Sequence, residues 1–162
     1  MFRPDLVDVW VFRRVAGGAP DILLMRRSAG RILGGLWQGV SGSVEPGERI
    51  ASAALRELDE ETGFGAEAIE AFYDLDQVNL FHEPSVDAIV SAAVFAVRVR
   101  AGAEPTLSHE HDALRWLPPA EAVELVVWPA YLESIARIER DLLDPQREPW
   151  FRLQLDGGRG IR

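Results

Sequence analysis

Cysteine and lysine are both absent from the 162 residues, and each absence closes off chemistry. Without cysteine there is no disulfide, no thiolate zinc site and no thiol nucleophile. Without lysine there is no Schiff base and no P-loop lysine to grip nucleotide phosphates, which removes a Walker-type nucleotidase. All 17 basic residues are therefore arginine, whose planar guanidinium favours bidentate contacts with carboxylates and phosphates. Positive charge is also scarce overall: 26 acids leave a formal net charge of −9. That balance argues against general affinity for a nucleic-acid polymer, which calls for a basic face. It leaves small anionic substrates open, because a bound cation can invert the local field. Long apolar runs are missing too. No stretch approaches the roughly 18–20 residues of a membrane span, and the first residues lack a signal-peptide layout. Cytoplasmic residence with no membrane partner is the expectation.

What is present reads as an ordinary globular chain, 48% hydrophobic and 27% charged. Its length suits one domain over 1–162, monomeric or homodimeric, with 157–162 fraying. Residues 5–15 alternate as a strand, with Val7, Val9 and Val11 on one face and Leu6, Trp10 and Phe12 interspersed. A turn at 16–20 leads to a second strand over 21–27, which predicts a hairpin. Arg26 and Arg27 close that strand, either as an ordinary charged end or as a contact for substrate phosphate or base. A Gly-rich loop follows over 28–35, then a broken strand over 36–44 in which Trp37 is either core or a stacking platform.

Beyond residue 65, strands are expected over 71–81 and 86–100, the latter apolar and β-branched enough to be central, with a turn at 82–85. A short strand over 112–117 precedes a helix opened by Pro118-Pro119 and another opened by Pro129. In the last, Leu132, Ile135, Ile138 and Leu142 recur at helical spacing and should cover the sheet. An edge strand is expected within 150–155. His109 and His111 flank Glu110, but H-x-H with only His82 elsewhere is a weak zinc pattern. Strands and helices in this order suit an α/β fold with a mixed sheet.

The segment Gly42–Phe64, GSVEPGERIASAALRELDEETGF, is the organising stretch. Pro46-Gly47 suits the centre of a type II turn, and a helix should run from about Glu48 to Thr62 with Gly63 as its left-handed stop. At about 100° per residue, Ile50, Ala51, Ala54, Leu55 and Leu58 make one apolar arc. Glu57, Glu60 and Glu61 make a second arc at i, i+3, i+4, beside the first. Three repelling carboxylates at a core edge call for a cation, and Mg²⁺ or Mn²⁺ suits such oxygens. On spacing alone a solvated acidic face explains the arcs equally well.

The ordered pattern G-x5-E-x7-R-E-U-x-E-E-x-G-U, with U apolar, runs through Gly42, Glu48, Arg56, Glu57, Leu58, Glu60, Glu61, Gly63 and Phe64. It resembles the Nudix hydrolase signature at every defined position. The resemblance implies an α/β/α sandwich and metal-dependent hydrolysis of a diphosphate linkage, with Mg²⁺ or possible Mn²⁺ held by Glu57, Glu60, Glu61 and the Gly42 carbonyl. Arg56 would orient a carboxylate, and Glu48 would stabilise the helix start and reach metal through water. The stretch LSHEHDALRWLPPAEA resembles the segment in which Glu110 would supply a fourth carboxylate, and the general base is either Glu57 or Glu110. The matching Trp37-Gln38 segment would lie near substrate. Asn79 to His82 carry neither the proline of ADP-ribose hydrolases nor the tyrosine of diadenosine polyphosphate hydrolases. LWQGVSGSVEPGE, VNLFHEP and EH-x4-WL resemble the branch acting on dNTPs or dihydroneopterin triphosphate, with Gln77 and Asn79 as base or pterin contacts. A diadenosine polyphosphate or ADP-ribose hydrolase and a non-catalytic nucleotide-binding module are the alternatives.

Overall fold

In chain order the strands are β1 (Leu6–Arg13), β2 (Asp21–Arg27), β3 (Trp37–Gln38), β4 (Val40–Ser43), β5 (Ile69–Glu83), β6 (Ala88–Val99), β7 (His111–Leu117) and β8 (Arg152–Leu153). The helices are α1 (Ile50–Thr62), α2 (Pro119–Leu125) and α3 (Pro129–Arg137). The computed structural model describes residues 1–158.

The alternation of β1 is apolar on both sides. Val7, Val9 and Val11 join one buried cluster, while Trp10 and Phe12 join another. A strand with two buried faces belongs inside a covered sheet. β1 accordingly runs parallel to β6, with Val9 opposite Phe95. Its other edge takes β4 along its first half and β2 at its far end, both antiparallel. β5 pairs antiparallel with β6, and β8 extends the edge beyond β5. β3 and β7 both pair with β2. The result is a mixed sheet with α1 on one face, buried through Ala53, Ala54 and Leu58, and with α2 and α3 on the other through Ala122 and Ile135. This is the expected α/β/α sandwich, with the expected hairpin and a central β6.

Glycine sets where α1 stops. Gly63 takes φ 71° and donates its N–H to the Asp59 carbonyl at 2.7 Å, while Phe64 packs into the core. The start falls two residues later than the sequence suggests. Glu48 closes a turn by donating its N–H to the Glu45 carbonyl at 3.1 Å, and its carboxylate accepts the Glu45 N–H at 3.0 Å. Those bonds hold Glu48 outside the helix, so it braces the turn rather than the first helical turn.

Other expectations shift for similar reasons. β5 continues through Glu83 because His82 still pairs with Ile89, which moves the hairpin turn to 84–87. α3 gives way at Ile138 to a π turn, in which Ile138 and Leu142 stay buried. Leu132 instead faces outward at 41% exposure. Arg98, a charge near the end of β6, is not left to solvent: it donates to the Tyr73 hydroxyl at 3.2 Å and to Glu70 at 3.1 Å. Of the tail expected to fray, Gly157 and Gly158 close a turn on Gln154, and 159–162 lie outside the described residues.

A Cβ at Gly63 would meet only Thr106 at 3.8 Å, so an alanine there fits sterically and is opposed by backbone conformation alone. Gly63→Ala should lower unfolding stability by about 1–2 kcal/mol, read from the urea midpoint. An unchanged midpoint would show that the left-handed stop does not matter.

Candidate active site

The last two turns of α1 lie against β4 because Ala54 and Leu58 anchor the helix on the sheet. That contact brings Glu57 onto Gly42. A Cβ built at Gly42 would sit 1.9 Å from the Glu57 carboxyl carbon, so the carboxylate occupies the space a side chain would need. Arg56 sets the direction. It donates to Glu57 Oε1 at 2.7 Å, to Glu48 through Nε at 2.9 Å and Nη2 at 3.0 Å, to the Ser43 carbonyl at 2.8 Å and to Glu60 at 3.4 Å. This grip holds the Glu48 carboxyl well below its usual range, at about 2, and raises the Arg56 pKa in turn. Glu57 moves the other way, because its burial outweighs the help from Arg56. Glu60 is exposed.

Glu61 is the buried member, with 4% of its surface accessible. Burial first, then repulsion from Glu110 and Glu57, pushes its carboxyl up to about 8, against the Ser41 backbone N–H and Arg27. Among the described residues its Oε2 has no hydrogen-bond partner and faces His111 Nδ1, equally unpartnered, at 3.9 Å. The far nitrogen of that imidazole lies 3.4 Å from the amide nitrogen of Gln38. Burial lowers the His111 pKa, with Arg27 next.

Glu110 reaches the site from a loop pinned at both ends. Ser108 donates its N–H to the Glu61 carbonyl at 3.3 Å, and Ser28 donates to the Glu110 carbonyl at 2.9 Å. The Glu110 carboxylate pairs with Arg31 at 3.4 Å and raises the pKa of both Glu57 and Glu61. The four acids are thus brought to one region. Among the described residues, however, no three acidic or histidine side chains are gathered tightly enough to hold one ion. Glu57 and Glu60 turn to Arg56, and Glu61 turns to His111. The donor chemistry still fits a hard divalent cation: an orphaned buried carboxylate oxygen, a carboxylate cradled on a glycine, and mutual repulsion.

The substrate candidates are scattered by comparison. Arg26 is paired with Asp112 at 2.7 Å, and its guanidinium lies 5.8 Å from the Trp37 ring, with that of Arg115 at 5.4 Å. Trp37 is half-buried and carries guanidinium groups. Gln38 is buried on the α1 side against His111, so its amide nitrogen is engaged inside the protein. Gln77 donates to Asn79 at 2.8 Å and to the Ala130 carbonyl at 3.1 Å, and it accepts from Ser134 at 3.1 Å. Those bonds engage the Gln77 amide inside the protein and make it a strut from β5 to α3. Asn79 donates to Asp8 Oδ2 at 3.2 Å.

Sequence reasoning passed over Asp8, buried in β1 with its carboxyl raised by that burial. The signal was available, since an acid in L-V-D-V-W-V-F interrupts a doubly apolar strand. In the sequence His111 stands only in a weak zinc pattern, and Arg31 only in the Gly-rich loop over 28–35. Their partners lie far away in sequence.

The raised Glu61 pKa gives a stability test in metal-free protein. The folded carboxyl keeps its proton to about 8, whereas the unfolded one loses it near 4.5. Its contribution is therefore fully present below the unfolded value and is lost as pH rises through about 8. With EDTA present, Glu61→Gln should gain melting temperature relative to wild type between pH 5 and 9. A difference that does not change with pH would refute the shift.

Residues 4–138 match the NUDIX domain family. A Myxococcus xanthus protein named octanoyltransferase is 37% identical over 127 residues, which cover 76% of this chain. The chain spans only about a third, 34%, of that protein's length. The CTP pyrophosphohydrolase of Escherichia coli (strain K12) is 31% identical over 117 residues, covering 67% of this chain and 75% of that protein. A solved Nudix hydrolase from Listeria monocytogenes superposes with a TM-score of 0.76 at 22% identity, covering 94% of this chain and 100% of its own. The chain belongs to the Nudix family.

Proposed function

We propose that the chain is a Mg²⁺-dependent pyrophosphohydrolase of nucleoside triphosphate-like substrates, with Mn²⁺ as a substitute. The observation that carries this reading is the buried Glu61 carboxylate, which lies within the field of Glu110 and of Glu57, the latter seated on Gly42. Glu57, Glu60, Glu61, Glu110 and the Gly42 carbonyl would hold the metal, which when bound neutralises phosphate charge and makes a bound water more acidic. Arg56 orients Glu57 and screens Glu60. Glu57 is the favoured base: Arg56 occupies Oε1 and leaves Oε2 to take a proton, and burial moves its pKa towards the range in which a base works. Glu110 remains the second acid of the pair, steadied by Arg31.

The relative named CTP pyrophosphohydrolase supports a nucleoside triphosphate, as does the absence of the proline and tyrosine markers between Asn79 and His82. Dihydroneopterin triphosphate is the neighbouring choice. Asn79 stays a candidate for reading the base, acting with Asp8.

Phosphate and pyrophosphate release should be followed with Mg²⁺ across CTP, dNTPs, dihydroneopterin triphosphate, diadenosine tetraphosphate and ADP-ribose. A triphosphate should give a monophosphate and pyrophosphate. Turnover of ADP-ribose or diadenosine tetraphosphate alone would reassign the substrate, and tight binding without turnover of any would make the chain a binding module. EDTA should abolish turnover, and added Mg²⁺ should restore it.

In the same assay Glu57→Gln should lower kcat by about 10²- to 10⁴-fold, with the melting curve retained. Gly42→Ala should be comparably damaging, because its Cβ would displace the Glu57 carboxylate. Wild-type kcat in either variant would remove Glu57 from the chemistry.

A further inference from the structure

Two side chains of the site have buried atoms with no partner among the described residues, and those atoms face each other. Glu61 Oε2 and His111 Nδ1 are 3.9 Å apart. On the other side of the ring, Gln38 presents its amide nitrogen to His111 Nε2 at 3.4 Å. An amide nitrogen only donates, so Nε2 has to be the accepting, bare nitrogen. A neutral imidazole has one proton, which must then sit on Nδ1 and point at Glu61. Closing the gap to the roughly 2.9 Å of a hydrogen bond takes a shift of about 1 Å.

We propose that His111 is a positioning residue for Glu61, with Gln38 fixing the imidazole tautomer so that Nδ1–H holds one carboxylate oxygen and leaves the other for a divalent cation. The proposal rests on the reading of Glu61 as a metal-holding residue, and it adds a role that neither Gln38 nor His111 has in the signature segment. It also explains why both side chains are buried behind α1 instead of facing substrate. A buried amide and a buried imidazole are costly to enclose unless their hydrogen bonds are used. Here the amide sets the ring, and the ring sets the acid. Partners behind metal-holding groups are typically worth about 10- to 100-fold in metal affinity.

Mn²⁺ binding to the nucleotide-free protein, followed by electron paramagnetic resonance, reads this without turnover. His111→Phe, which keeps a flat ring and removes the donor, should raise the Mn²⁺ Kd by about 10- to 100-fold. His111→Asn, whose amide can place an N–H near the former Nδ1, should recover most of that loss. Two-bond proton–nitrogen spectra of the wild-type protein saturated with Mg²⁺ should show His111 protonated at Nδ1 and bare at Nε2. This measurement stands even if a variant fails to fold. Wild-type Mn²⁺ affinity in His111→Phe, equal loss in both variants, or a proton on Nε2 would each overturn the proposal. If the wild-type protein binds no Mn²⁺ at all, the metal reading itself falls and this proposal falls with it.

Discussion

One guanidinium lets α1 carry its acids. Glu57, Glu60 and Glu61 lie on one side of the helix, and at i, i+3, i+4 their charges repel. Arg56 answers that repulsion with a fork reaching Glu48, Glu57, Glu60 and the Ser43 carbonyl. A lysine could not do this, since a single ammonium lacks the planar, two-sided geometry that engages both Glu48 oxygens while holding Glu57. The consequence is mechanical as well as electrostatic. β4, the Glu45–Glu48 turn and α1 become one braced unit, and Glu57 is held over the only kind of residue that leaves it room. Even so, Arg56 does not satisfy the site. Burial still raises the Glu57 pKa, and burial followed by the fields of Glu110 and Glu57 raises that of Glu61, so the three acids repel one another despite Arg56 and Arg31.

The sheet divides the polar residues into two sets. On the α1 side a chain runs Glu61, His111, Gln38. On the α3 side another runs Asp8, Asn79, Gln77, Ser134. The strand residues of the second set owe their side to the two-residue period of β1 and β5. Asp8 shares its face with Trp10 and Phe12, and Gln77 shares its face with Asn79. β4 bridges the two sets through Ser41, whose side chain bonds Asp8 while its backbone N–H serves Glu61. The residue next to Gly42 therefore connects the acidic helix to the face on which Asn79 lies.

This division explains which features could be read from the chain. Local chemistry was legible: Gly63 stops α1, Pro119 and Pro129 sit in the first turns of α2 and α3, and the apolar β6 lies inside the sheet. The acids of α1 were legible because helical spacing alone brings them together. Ends decided by distant partners were not. Glu48 belongs to a turn because its carboxylate is needed there and by Arg56, and β5 outruns its expected turn because β6 keeps pairing with it. The surroundings of Gln77 were hidden for the same reason. A glutamine in a strand looks equally able to face a ligand or a helix end, and only α3, fifty-odd residues on, makes Gln77 a strut.

The all-arginine alphabet has a further consequence for phosphate binding. Most guanidinium groups near the site already have work inside the protein. Arg56 holds Glu48 and Glu57, Arg31 pairs with Glu110, Arg26 pairs with Asp112, and Arg27 donates to the Ile32 carbonyl. A triphosphate approaching Glu57, Glu61 and Glu110 would meet acids whose nearby arginines are committed. Redirecting Arg56 would release Glu48 and Glu57 together and undo the brace that positions them. Side chains alone therefore leave an anionic substrate facing an anionic site, and a divalent cation resolves the conflict by binding both. Glu61, raised by burial and then by Glu110 and Glu57, is the acid of α1 that Arg56 does not hold, and so the one with most to gain from such a cation.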